Sequence, residues 1–338
     1  MPTIIIIGAG AAGSEAAYQL ALQGFTVELV EKEHETGGNL NNWYQLFPDR
    51  KQAGTLRETL RQHLHHPNIH LHPGTEPRSI TRHHEKSYTV ALSDGAHLEG
   101  EALLVATGYK FFDAHRKEEY GYGIYENVIT SVELENMFQN HRVVTSQGIP
   151  PRRIGIIHCV GSRDEKVCNY HCSKLCCITG VKQAVELREL LPDTEITCFY
   201  MDIRMFGPGY EEMYREAQEK YDIRFIRGRL SEAAVNQQEQ VCIKVEDTLV
   251  GRPLKMTLDL MVLLVGMESS DGTRRLAEML GLDLAPNRFI QTLDAHYSNN
   301  HTRVNGIFVA GCGSAPMSLT DTLADARSAA IHIMQYLK

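Results

Sequence analysis

The chain has 338 residues, enough for one large core or two ordinary ones, and its 43% hydrophobic and 22% charged content is that of a soluble globular protein. A formal net charge of −8 argues against a general nucleic-acid or anionic-membrane binder, because both select positive fields. No membrane span is expected: the apolar run DLMVLLVG (259–266) is far too short to cross a bilayer, and no basic leader precedes the first strand, which points to a cytoplasmic location.

The first element is T-I-I-I-I-G-A-G-A-A-G, from Thr3 to Gly13. Four β-branched isoleucines predict a strand buried on both faces, and Gly8, Gly10 and Gly13 follow it in the G-x-G-x-x-G pattern. SEAAYQLALQG continues as a helix, and the strand FTVELVE then ends at Glu31, eighteen residues after the last glycine. An acid there can take the ribose hydroxyls of a dinucleotide. The pyrophosphate would rest on backbone N–H groups of Ala11, Ala12 and Gly13.

The histidine-dense run HLHHPNIHLHP (63–73) reads as a solvated surface where a helix end leads into a strand. Downstream, LLVATGY (103–109) ends a further strand. ENVITSVELENMF predicts an amphipathic helix with Thr130 and Glu133 as a capping box. QGIPPRR (147–153) reads as a linker opening a second strand–turn–helix unit, RIGIIHCVGSRD, followed by strands TEITCFYMD and IRFIRGR. LDLMVLLVGM would then return the chain to the first domain, which closes with GIFVAGCGSAP (306–316). The expected boundaries are 1–146, 147–258 and 259–338.

Glu31-Lys32, Gly37-Gly38, ATG and AGCG in this order resemble the two-dinucleotide-binding flavoproteins of the thioredoxin-reductase and glutathione-reductase superfamily. The resemblance implies an α/β fold: a Rossmann-like FAD domain split by a second Rossmann-like domain. It implies FAD in the first site, with Lys32, Gly38, Ala106, Thr107, Gly108, Gly311 and Cys312 joining the glycine loop and Glu31 around it. Cys312 stands where these proteins usually carry an aspartate, which removes one polar contact.

The second turn departs from a nicotinamide site. The template glycines fall on Cys159, Gly161 and Asp164, so only one is kept, and Asp164 would set a negative charge against a phosphate. No C-x-x-C occurs, and no cysteine follows Gly37-Gly38 until residue 159. Instead Cys159, Cys168, Cys172, Cys176 and Cys177 crowd nineteen residues, five of the eight cysteines in the chain. CSKLCCITGVKQAVELREL reads as a helix placing Cys172 and Cys176 one turn apart, with Cys159 beside its start. Four sulfurs could then converge at a helix N-terminus, where the partial positive charge favours an anionic iron–sulfur centre.

C-V-G-S-R-D-E-K, Y-H-C-S-K-L-C-C-I-T-G-V-K-Q-A, Y-M-D-I-R and G-Y-E-E-M-Y closely resemble the A subunit of heterodisulfide reductase over essentially the whole chain. That resemblance implies a [4Fe–4S] cluster on Cys159, Cys172, Cys176 and Cys177 close to FAD. It places Lys182 near the flavin N5, although a solvated helix lysine is the bland alternative. Cys168, Cys198, Cys242 and Cys312 remain as structural or free thiols.

The chain lacks ferredoxin-type cysteine runs, which the longer relatives carry, and so looks like a short form from complexes that oxidise sulfur compounds. The expected partners are iron–sulfur and disulfide-reducing-type subunits and a second copy of the chain. No acid, base or nucleophile is expected. Two other readings stand beside this one: a free-standing NAD(P)H-dependent flavin oxidoreductase, and a zinc-bearing scaffold.

Overall fold

The computed structural model describes residues 2–338. The chain divides into two compact units, one formed by Met1–Asn41, Gly54–Lys110 and Glu268–Lys338, the other by Asn42–Ala53 and Phe111–Met267.

The first unit is built on a five-stranded parallel sheet in the order Ile307–Val309, Ala102–Val105, Thr3–Ile7, Thr26–Glu31, Ile69–Pro73. The isoleucine run sits at its centre and feeds two cores, since successive side chains leave opposite faces of a strand. Ile4 and Ile6 pack with Ala16, Ala17 and Leu20 of helix Ala11–Leu22 and with Ala326, Ala329 and Ile333 of helix Leu319–Leu337. Ile5 and Ile7 pack on the other side with Tyr88, Val90 and Leu92 of a three-stranded antiparallel sheet. All four isoleucines are at most 4% exposed, as the unbroken apolar run predicts.

The second unit carries a parallel sheet in the order Arg224–Arg227, Glu195–Tyr200, Arg153–Val160, Leu260–Val265, Val128–Thr130. The boundaries therefore fall at 41/42, 53/54, 110/111 and 267/268, against the expected 146/147 and 258/259. The reason is pairing. Leu260–Val265 lies between Arg153–Val160 and Val128–Thr130, so the apolar strand read as a return to the first domain is a central strand of the second. Val128–Thr130 joins it as an edge strand, which carries the helix Ser131–Gln139 into the same unit. That helix has the expected capping box: Thr130 accepts from the Glu133 N–H, and the Glu133 carboxylate accepts from the Thr130 N–H. Leu134 and Phe138 are buried.

Candidate functional site

In the first unit the glycines divide the work. A Cβ on Gly13 would stand 1.8 Å from the Gly8 carbonyl oxygen, and one on Gly8, whose φ is +107°, 2.5 Å from that of Ala106. These two glycines let helix and strand pack closely. A Cβ on Gly10 would meet nothing nearer than the Gly38 Cα at 4.0 Å, so protein packing does not demand glycine there. A bare backbone with open space, at the N-cap of a helix that has no side-chain cap, fits the close approach of a diphosphate.

Gly37 bridges Gly10 and donates to the Ala9 carbonyl at 2.9 Å, which lays Gly38 against the glycine loop. Glu31 is buried at the end of its strand, and its two carboxylate oxygens accept from the N–H groups of Ala9 (2.7 Å) and Glu33 (3.0 Å). Its first duty is thus to fix the loop, leaving its remaining lone pairs for a ribose. Lys32 is exposed and pairs with Glu33. Ala106 hydrogen-bonds to Ile7, Thr107 shares a 2.7 Å hydroxyl bond with Thr273, and Gly108 turns the chain at φ +63°.

The Gly311-Cys312 turn is ordered by a residue that the motif did not mark. The Cys312 thiol points to the Met317 carbonyl and the Thr322 hydroxyl, towards the protein. The carboxylate that orders this turn is Asp325, one helix away, which accepts from the Gly311 N–H at 2.7 Å and from Asn299 and Asn300. Burial raises its pKa. Nothing in the spacing marked Asp325; its one legible trait is a carboxylate among the small residues of an otherwise buried helix face.

In the second unit the strand Arg153–Val160 breaks register after Ile157, and Cys159 adopts φ +60°, so its side chain leaves the normal alternation. The helix begins only at Cys176 and runs to Leu190. The expectation that Cys172 lies on that helix is not met: Lys174 sits at φ +63°, which interrupts helical backbone, and Cys172 occupies the preceding turn. The turn is pinned by a buried Ser162–Ser173 hydroxyl contact and by the Ser173 hydroxyl accepting from the Met267 N–H.

This irregular route brings the Cys159 and Cys176 thiols into contact and sets Cys172 and Cys177 within electrostatic reach of them. Cys159 and Cys176 hydrogen-bond to each other; this contact holds the Cys159 thiol below its ordinary value and pushes Cys176 up. Cys172 and Cys177 both act electrostatically on Cys176, and Cys159 and Cys172 both act on Cys177, whose burial pushes it up to about 11. Arg163 and Arg204 stabilise the Cys159 thiolate. Cys168 is exposed on the turn, at φ +57°, and takes no part in this set. Cys198 is buried within its strand and Cys242 lies partly buried in a hairpin.

Among the described residues no disulfide links the cysteines, and no group of three or more His, Cys, Asp or Glu side chains is arranged to hold a metal ion. Cys159 and Cys176 are in contact, and Cys172 and Cys177 act on them without a closed shell around one point. A cubane cluster asks for a different arrangement from a single ion, since each thiolate binds its own iron at a corner. The all-sulfur donor set and the arginines beside it fit an anionic iron–sulfur group.

Three further side chains clarify the turn. Asp164 does not face a ligand space as expected: it is 2% exposed, caps the short helix Glu165–Val167 and pairs with Lys117 (2.8 Å) and Arg229 (2.7 Å). Gly161, at φ +73°, lies under the Phe112 ring, which a Cβ would meet at 2.1 Å. Aromatic carbon thus covers the one glycine retained from the dinucleotide template. His158 is fully enclosed, its ring close to where a Cβ on Gly180 would stand (2.7 Å), and burial lowers its pKa to about 3.

Lys182 is not a solvated helix lysine. It is fully buried, and its ammonium donates to the Gln45 carbonyl (3.0 Å), Glu135 (2.7 Å) and Glu186 (3.2 Å). Trp43 lies alongside, 5.6 Å from the ammonium to the ring centre. Glu135 and Glu186, which the sequence did not single out, are the partners that keep the charge in the interior. Burial pushes the Glu186 carboxyl up to about 8. In the histidine run, His70 and His72 both engage the Glu28 carboxylate, and His63 stacks on Tyr18.

Residues 6–71 match the family model of an NAD(P)-binding Rossmann-like domain. The iron-sulfur A subunit of CoB–CoM heterodisulfide reductase from Methanocaldococcus jannaschii is 33% identical over 412 aligned residues, covering 96% of this chain and 63% of that protein. The A subunit of H(2):CoB-CoM heterodisulfide,ferredoxin reductase from Methanothermobacter marburgensis is 39% identical over 239 residues, covering 69% of this chain and 36% of the relative. The chain thus spans less than two thirds of the length of these relatives. Thioredoxin reductase from T. acidophilum superposes with a TM-score of 0.67 at 18% identity, covering 99% of both chains. That from Lactococcus lactis gives 0.68 at 15% identity, covering 100% of this chain and 99% of the other. The fold is that of the two-dinucleotide-binding flavoproteins.

Proposed function

From the premise that this chain is a homologue of the heterodisulfide reductase A subunit along nearly its whole length, we propose that it is an oxidoreductase component that passes electrons between FAD and a [4Fe–4S] cluster. The observation that supports this reading is the Cys159–Cys176 contact with Cys172 and Cys177 in electrostatic reach of it, while Cys168 is exposed. FAD trades one or two electrons and a cluster one, so the pair converts between the two.

The chain's own residues do the positioning. Gly10 opens the backbone at the helix N-terminus for the diphosphate, Glu31 and Gly38 shape the loop beside it, and Asp325 orders the Gly311-Cys312 turn. The Cys159 bulge and the left-handed Lys174 turn aim thiols from a strand, a turn and a helix at one region, and Arg163 and Arg204 offset the negative charge of thiolates there. Lys182 supplies a buried cation held by Glu135 and Glu186.

The protein works within a heterodisulfide-reductase-like complex in the cytoplasm, as a homodimer joined to iron–sulfur and disulfide-reducing-type subunits. Among the described residues no helix is long and apolar enough to cross a membrane. Its setting in sulfur-compound oxidation rests on the resemblance alone. The test is analysis of protein purified without oxygen. The reading expects FAD together with about four iron and four acid-labile sulfide per chain. Zinc without iron or sulfide would refute it and favour a scaffold.

A further inference from the structure

The His158 imidazole is a buried polar group that the fold leaves unused. Both ring nitrogens are shut off from solvent, and neither has a hydrogen-bond partner among the described residues. His171, the other histidine of the thiol stretch, is engaged: its Nε2 lies 2.9 Å from the Met267 carbonyl oxygen. An imidazole carries an N–H donor in either tautomer, and a donor buried without an acceptor costs stability. An orphaned donor in a native interior points to a water, an ion or a cofactor that accepts from it.

The position of the ring selects among these. In an ordinary strand His158 and Cys159 would leave opposite faces of the sheet. Here the register breaks after Ile157 and Cys159 turns to φ +60°, so both side chains reach the same helix, Cys176–Leu190. Cys159 meets Cys176, the first residue of that helix. The His158 ring lies against Gly180, where a Cβ would stand 2.7 Å from its Cε1 and Nε2. Glycine at 180 leaves the room that the ring and Leu264 fill. Residues four apart share one helix face and lie about 6 Å apart along the axis. The unpartnered imidazole is thus one helical turn from the Cys159–Cys176 contact. The sulfurs of an iron–sulfur group accept hydrogen bonds, and the donors that reach them help to set its potential.

We infer that His158 donates a hydrogen bond to a sulfur of the cluster held by Cys159, Cys172, Cys176 and Cys177 and so raises its reduction potential. This role rests on the electron-transfer reading. The direction follows from charge: reduction adds an electron to an anionic group, and an N–H dipole aimed at sulfur favours the more negative state. No bond breaks and no proton moves.

The test compares wild type, His158→Leu and His158→Gln, each purified without oxygen, and each again after its iron is removed. In a redox titration followed by EPR, the ratio of reduced to oxidised cluster at a fixed potential should fall about tenfold in His158→Leu, a shift of about 59 mV for one electron. His158→Gln keeps an N–H donor and should lie between the two. Pulsed EPR on protein carrying nitrogen-labelled histidine should show a coupling to the reduced cluster in wild type that His158→Leu lacks. Urea unfolding should find iron-free His158→Leu at least as stable as iron-free wild type, because no hydrogen bond within the protein is lost. A His158→Leu protein with its cluster intact, and with the potential and nitrogen coupling of wild type, would overturn the inference and leave the electron-transfer reading standing. An iron-free His158→Leu clearly less stable than wild type would also overturn it, by making the ring a structural one. A wild type that holds no iron would instead sink the electron-transfer reading, and this role with it.

Discussion

Glu186 offers a prediction whose size follows from its surroundings. The carboxyl is 4% exposed on the helix that starts at Cys176, and the groups facing it are the Lys182 ammonium, the Glu135 carboxylate and, further off, Arg50. One ammonium stands between two carboxylates, and burial pushes the Glu186 carboxyl from 4.5 up to about 8, with Lys182 opposing the rise and Glu135 adding to it. Glu186 Oε2 lies 3.1 Å from the Lys182 ammonium, and Oε1 accepts from it at 3.2 Å. The folded chain therefore holds the Glu186 proton more tightly than the unfolded chain. The stability it contributes is complete below pH 4.5 and is lost as the pH rises through about 8. Each pH unit in that window is worth about 1.4 kcal/mol, on the order of 5 kcal/mol in all. Glu186→Gln keeps the shape of the protonated acid and cannot ionise. Urea unfolding of both proteins between pH 5 and pH 9 should give similar stabilities at the acid end and an advantage for the variant that grows from about pH 5 to about pH 8 and levels off above it. A protonated-carboxyl C=O band should be present in the infrared spectrum of wild type at neutral pH and missing in the variant. Parallel stability curves with no such band would refute the reasoning.

The glycine loop separates binding from folding. Gly10→Ala adds a Cβ to open space, so the protein should melt near the wild-type temperature and yet retain little FAD after gel filtration. Gly13→Ala forces a Cβ to 1.8 Å from a carbonyl oxygen and should lower the melting temperature outright. Equal flavin retention in Gly10→Ala and wild type would remove the diphosphate from that position. NADH and NADPH should both fail to bleach the flavin of this chain on its own, because Phe112 covers Gly161 and Asp164 is locked between Lys117 and Arg229. Rapid bleaching by either would restore the free-standing reductase reading.

What the sequence made legible was whatever local pattern controls. Thr3–Gly13 announced strand, turn and helix because an unbroken β-branched run can only be buried on both faces, and the capping box at Thr130 was readable because both of its bonds are local. The domain boundaries were not legible, because Leu260–Val265 looks the same whichever parallel sheet receives it and only pairing decides. Cys172 was placed on a helix because nothing in Ser173-Lys174 forbids one; the left-handed turn is imposed by tertiary contacts, notably the two serine hydroxyls and Met267. Asp325, Glu135 and Glu186 escaped notice for a related reason. Each is an ordinary carboxylate on an amphipathic helix until a distant backbone amide or a buried lysine gives it a task. Lys182 shows the converse, since its resemblance-based role says nothing of the two acids that hold it.

The most direct measurement is low-temperature EPR on the dithionite-reduced protein, with each cysteine of the turn replaced by serine in turn. The account predicts loss or marked alteration of the iron signal for Cys159→Ser, Cys172→Ser, Cys176→Ser and Cys177→Ser, and an unchanged signal for Cys168→Ser. A signal that survives any of the first four intact, or that disappears with Cys168, would contradict it.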